Sequence, residues 1–180
     1  LVIEYVYTGL NGSPIEKYKY KKETITYLEL KRPEIPIHRI TIQYGVKEMI
    51  YYATVETTSG IMFDVRKLSN GELEDDYDYT IIWMDKVSQE ITTFVKKEFN
   101  EQASVVFKTT SQISITLHEP FQGDRSLRQC FETIEWISSE QRTQTNISFI
   151  FDSHSIYISD KEWGSINHWR DLSKYVMEDS

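Results

Sequence analysis

A single cysteine, Cys130, excludes an internal disulfide and any zinc site built from paired cysteines. Such cysteine usage suits a reducing compartment, and a cytoplasmic location is the expectation. No apolar run approaches the roughly 20 residues of a membrane span, so no membrane partner is expected. Glycine and alanine are scarce. The one close glycine pair, Gly9 and Gly12, flanks a turn with no lysine after it, which excludes a phosphate-cradling loop. No Gly-x-Ser-x-Gly elbow is present to hold a serine nucleophile at a strained turn. Positive charge is also in short supply, 20 Lys and Arg against 28 Asp and Glu, for a net charge of −8. A nucleic-acid binder carries a basic footprint, so nucleic acid is not an expected partner, and a basic protein is the natural electrostatic complement.

What remains is rich in tyrosine, isoleucine, lysine and glutamate. At 180 residues the chain suits one domain, 1–180, with a strand-rich half (1–84) and a helix–hairpin–helix–hairpin–helix half (85–180). The opening "LVIEYVYTG" alternates around Glu4 and reads as a strand, not a signal peptide. In "EKYKYKKETITYLEL", Lys17, Lys19 and Lys21 alternate with Tyr18 and Tyr20, which also reads as a strand. "HRITIQYG" is a further strand after Pro33 and Pro36, and "EMIYYATVETTSGIMFDVRKL" a hairpin turning at Thr58 to Gly60. "YTIIWM" closes the strand-rich half.

Helical spacing begins at Val87, Ile91, Phe94, Val95 and Phe99, predicting a helix over 86–99. Leu127, Cys130, Phe131, Ile134 and Ile137 predict a second over 125–138. Ile166, Trp169, Leu172 and Val176 predict a third over 163–177, with Ser159 and Glu162 as a capping box. Hairpins turning at Thr110–Ser111 and at Asp152–His154 lie between them. A shift of 43 residues superposes Val87 on Cys130, Ile91 on Ile134, Val106 on Phe149, Ile113 on Ile156 and Ile115 on Ile158. The fold class is α+β: a large, mainly antiparallel sheet with about three helices packed on one face.

Candidate sites are few. "ELEDDYDY" gathers Glu72, Glu74, Asp75, Asp76 and Asp78 with Tyr77 and Tyr79, five carboxylates in seven residues. Their repulsion is relieved by water, by a cation or by a basic protein surface. The glycine of a calcium loop is missing, and tyrosine adds rigid amphipathic area to an interface, so these seven residues are read as a solvated loop that can dock a protein. The lysine stripe 17–21 fits an edge strand protected against aggregation, or a local phosphate contact with a tyrosine stacked on a base. His118, Glu119, Asp152 and His154 sit at hairpin ends and would make a metal set only if those ends met. Cys130 falls on a helix's apolar stripe and reads as core. Glu132 and Glu135 read as solvated helix charge, and the four tryptophans as core or core cover, with a sugar platform as the alternative.

No catalytic residue and no cofactor is indicated. The expected function is that of a small acidic binding protein acting by protein–protein contact on a basic partner, in its most concrete form an immunity- or antitoxin-like inhibitor. A small-ligand pocket between sheet and helices is the alternative. A metal-dependent hydrolase built on the four hairpin-end residues is the second.

Overall fold

Proline at position 14, directly after Ser13 in extended conformation, starts a helix where alternation of lysine and tyrosine suggested a strand. In the computed structural model, which describes residues 12–45, 50–141 and 145–178, helix α1 spans Pro14–Lys31. Five alternating residues are too few to fix a period. The longer spacing Tyr20, Thr24, Leu28 puts one buried stripe on a helix and leaves Lys19 and Lys21 in water, with Lys17 half-buried. Glu16 in the first turn and Lys31 in the last complement the helix dipole. The expected strand at residues 1–8 lies outside the described residues.

Four antiparallel strands follow as a meander: β1 (Ile37–Gly45), β2 (Ile50–Thr57), β3 (Met62–Lys67) and β4 (Leu73–Asp75). The β2–β3 hairpin turns where expected, with Gly60 at φ 80° and Thr57 Oγ1 accepting from the Ile61 N–H at 3.0 Å. Strand alternation sends Ala53, Val55, Phe63 and Val65 to one face, where they pack with Tyr20 and Leu28 of α1. Tyr52, Thr54, Asp64, Arg66 and Glu74 take the opposite phase on the same strands.

Helix α2, Tyr77–Glu98, starts nine residues before the predicted helix and absorbs "YTIIWM", which was expected to be a strand. Its cap decides this: the Asp76 carbonyl accepts from the Thr80 N–H at 2.8 Å, and Asp75 Oδ1 accepts from the Tyr77 N–H at 3.1 Å. Local β propensity yields to the cap and to the buried series Met84, Val87, Ile91, Val95.

The remaining strands are β5 (Ser104–Thr109), β6 (Gln112–Thr116), β7 (Asn146–Ile150), β8 (His154–Ile158) and β9 (Val176–Glu178), in that spatial order. Both expected hairpins are present, and helix α3 (Asp124–Trp136) crosses from β6 to its parallel neighbour β7. Val87, Ile91 and Val95 of α2 and Leu127, Cys130 and Ile134 of α3 bury against Ile113, Ile115, Ile147, Phe149, Ile156 and Ile158, all from one face of this sheet. Helix followed by hairpin thus occurs twice. The 43-residue offset holds for Ile113/Ile156 and Ile115/Ile158, but Val106 is 55% exposed while Phe149 is fully buried. The matching core pairs of the first strands, Val105/Ile147 and Phe107/Phe149, lie 42 apart.

The predicted helix 163–177 is instead two 3₁₀ segments, Trp163–Ser165 and Trp169–Tyr175, followed by β9. The spacing Ile166, Trp169, Leu172 is three, the 3₁₀ repeat. A capping box does form here, from His168 and Asp171; at the expected position, Ser159 Oγ and N–H both donate to Glu162.

The α+β class and the mainly antiparallel pairing stand; the one large sheet is two, of four and five strands. By contacts the chain divides into units 1–81 and 82–180. Among the described residues no helix is long and apolar enough to cross a membrane.

Cys130 is fully buried, and burial, with the nearby charge of Glu119, pushes its thiol well above its ordinary range. A thiol reagent should therefore modify the native protein on the order of a hundredfold more slowly than the denatured chain. Equal rates would displace Cys130 from the core.

Candidate functional site

The acidic stretch is not a free loop. Glu72 is exposed in the turn before β4, where Asn70 donates to its carboxylate at 2.7 Å. From there alternation separates the carboxylates: Glu74 projects to the open face and Asp75 to the face covered by α1.

Asp75 is consequently buried, its side chain 2% exposed, and it is fully engaged. Its Oδ2 accepts from Tyr27 OH at 2.7 Å and its Oδ1 from Arg32 Nη2 at 2.9 Å. Burial alone would raise this carboxyl, but the bonds from Arg32 and Tyr27 outweigh it and hold Asp75 below the usual carboxylate range. The same burial, reinforced by the Asp75 carboxylate, pushes the Tyr27 phenol up to about 12. Arg32 also bridges to Asp78 at 2.8 Å and lies 5.4 Å from the centre of the Tyr77 ring, which itself meets Phe63 edge-on. Asp75, Tyr77 and Asp78 thus form a clasp between α1 and the start of α2.

Glu74, Asp76 and Tyr79 remain on the open face. They line a groove of about 720 Å³ together with Tyr52, Asp64, Arg66 and Ile50. Asp76 is held in place from both sides: its Oδ1 accepts from the Asp64 N–H at 2.7 Å and its own N–H donates to the Asp64 carbonyl at 3.2 Å. Thr54 donates to Asp64 Oδ1 at 2.8 Å, and Arg66 pairs with Glu74 at 3.0 Å. Tyr52 donates to Gln43 at 2.9 Å, which fixes its ring orientation, while Tyr79 is 71% exposed. The floor is thus a rigid polar ladder, and the rim carries an unburied aromatic ring.

Tyr52, Asp64 and Arg66 were missed in the sequence, although a signal was there. The hairpin was legible, and its register pairs Tyr52 with Arg66 and Thr54 with Asp64 on the polar phase.

The hairpin-end set comes together only through the backbone. Leu117 N–H donates to the Ile150 carbonyl and Asp152 N–H to the Glu119 carbonyl at 3.1 Å, so the two ends do meet. The Glu119 carboxylate, however, accepts from Asn100 at 2.8 Å. His154 stacks on Phe121 at 4.9 Å, Asp152 is exposed, and His118 is an exposed residue at a left-handed φ of 48°. Among the described residues no group of three His, Cys, Asp or Glu could hold a metal ion. That removes the ligand set on which the hydrolase alternative depended. The tryptophans do not form a shared platform: Trp136 stacks on Phe94, Trp83 tilts against Phe107, and Trp163 and Trp169 are core.

Comparisons with family models, with curated proteins and with solved structures give no match.

Proposed function

We propose that this is a binding protein whose recognition surface is the open face of the four-stranded sheet, and that it takes a basic segment of a partner protein. The groove beside Tyr79 carries this reading. It offers aromatic and aliphatic area from Tyr79, Tyr52 and Ile50 next to carboxylates that hydrogen bonds already hold in position. A lysine or arginine entering there meets Asp64 and Asp76, and Tyr79 can cover its aliphatic stem. The net charge of −8 steers such a partner from a distance. An inhibitor of the immunity or antitoxin kind, set against a basic active site, is the concrete form of this activity.

The test compares two variants against a lysine- and arginine-rich peptide by titration calorimetry. Asp64→Asn/Glu74→Gln removes two charges from the groove; Glu29→Gln/Glu34→Gln removes two exposed charges outside it. The groove variant should bind about tenfold more weakly, the effect shrinking as salt rises, and the control variant within about twofold of wild type. Equal losses in both variants would reduce the attraction to net charge and reject the groove.

A smaller crevice of about 360 Å³, between α1 and β1, favours the small-ligand reading as a second one. Ile25, Leu28, Ile35, Ile37 and Ile40 line it, and the Arg32 fork at its side is already committed to Asp75 and Asp78. Such a site would select an apolar molecule without an acidic group.

A further inference from the structure

The five-stranded sheet ends at β5, and among the described residues no strand pairs with its outer edge. Edge strands are usually protected by charge, proline or a bulge. β5 has its lysine, Lys108, and its irregularity, between Phe107 and Thr109, only at its far end. Ser104 to Phe107 carry no such protection, and Val106 among them is 55% exposed.

Alongside this edge runs a groove of about 700 Å³, walled on its other side by one face of α2. Ser88, Gln89, Thr92 and Thr93 line that wall. The Thr92 hydroxyl donates to the Ser88 carbonyl at 2.7 Å and the Thr93 hydroxyl to the Gln89 carbonyl at 2.9 Å. Each hydroxyl hydrogen is spent within the helix, which leaves oxygen lone pairs as acceptors. Asp85 lies toward one end of the groove and Lys96 toward the other. The helix runs antiparallel to β5: Trp83 near its start touches Phe107, and its end at Glu98 leads to Ser104. Asp85 therefore flanks the Phe107 end of the strand and Lys96 the Val105 end.

We propose that this groove binds an extended segment of another protein, which adds to β5 as a sixth, antiparallel strand. Backbone donors and acceptors of the β5 edge would supply the ladder, and the helix wall the side-chain contacts, as in other strand-addition sites. Antiparallel pairing puts the amino end of the segment at Phe107 and Asp85 and its carboxyl end at Lys96. The two charges thus select a basic residue first and an acidic residue after it. Asp85 and Lys96 are eleven residues apart, about 16 Å along a helix, which an extended chain covers in about five residues. This surface lies in the second unit and shares no lining residue with the groove beside Tyr79.

The probe is a fluorescent hexapeptide of alternating valine and threonine, lysine first and glutamate last, with both termini blocked. Anisotropy titration should show saturable binding, at least about fivefold tighter than for the charge-reversed peptide. The double variant Asp85→Lys/Lys96→Glu should invert that order. Thr93→Arg, which fills the groove from an exposed position, should abolish binding while leaving the circular dichroism unchanged. Bound peptide should slow deuterium exchange of amides in β5. No saturable binding at millimolar peptide, binding without slowed β5 exchange, or an order that the charge swap fails to invert would each overturn the proposal.

Discussion

Replacing Arg32 by leucine should destabilise the first unit by about 3 kcal/mol and flatten the pH dependence that Asp75 gives to its stability. Among the described residues Arg32 is the cation bonded to the buried Asp75, through Nη2 at 2.9 Å and Nε at 3.3 Å. Removing one partner of a buried pair leaves a desolvated charge and costs about 3–5 kcal/mol, whereas the exposed half of the network, Asp78, contributes at most about 1 kcal/mol. In the wild type the Asp75 carboxyl is depressed below its unfolded value. Its contribution is therefore present above the ordinary carboxylate pKa of about 4 and is lost as the pH falls through the lower folded value. Without Arg32, only the bonds from Tyr27 and the Tyr77 N–H still oppose burial, so the folded pKa rises toward the unfolded one. The two values then lie closer together, so the variant loses less stability than the wild type as the pH falls through the acid range. Adding Asp75→Leu to the variant should restore part of the loss. Hydrogen exchange at β2 and β3 amides between about pH 3 and 6 reads this locally. Parallel pH slopes in wild type and Arg32→Leu would refute the clasp.

Phe149→Ala should cost the second unit about 4 kcal/mol, the range for truncating a buried aromatic side chain. Phe149 is fully buried on β7 at the middle of the five-stranded sheet, paired with Ile115 on one side and Ile156 on the other, with the Phe99 ring 6.4 Å away. Its strand partners Ile115 and Ile156 are β-branched and fixed in the ladder, so they do not move to refill the space. Val106→Ala, at the position that a strict 43-residue repeat would equate with it, should cost no more than about 0.5 kcal/mol. All four tryptophans, Trp83, Trp136, Trp163 and Trp169, belong to the second unit, so urea unfolding followed by tryptophan fluorescence reports on it. A difference below about 1 kcal/mol between the two variants would contradict the placement of the core.

The clasp also changes what mutagenesis of the acidic stretch can show. Neutralising Glu72, Glu74, Asp75, Asp76 and Asp78 together would remove the α2 cap and the partners of Arg32 as well as surface charge. Only Glu72 and Glu74 in that run can be altered as surface groups.

Much of the architecture was legible in order. The alternation of 37–45 and 50–67, the hairpin turns at 58–60, 110–111 and 152–154, and the helical spacing of 87–95 and 127–134 each carry their own period over enough residues to be read. Where the run was short, the period misled. Lysine and tyrosine alternate for five residues inside an 18-residue helix, and "YTIIWM" has strand propensity but sits directly after a helix cap.

By itself the sequence determined the α+β class, the charge excess, the burial of Cys130 and the two helix–hairpin passages, because each is written in local spacing or in composition. Only the tertiary structure decided that the strands form two sheets, since strand partners are chosen by contacts between residues distant in the chain. It also decided the fate of the acidic stretch. Whether a carboxylate faces water or an arginine 43 residues away depends on the phase of β4 against a helix that the sequence had presented as a strand. That phase buried Asp75 and left Glu74 and Asp76 beside Tyr79 on the open face.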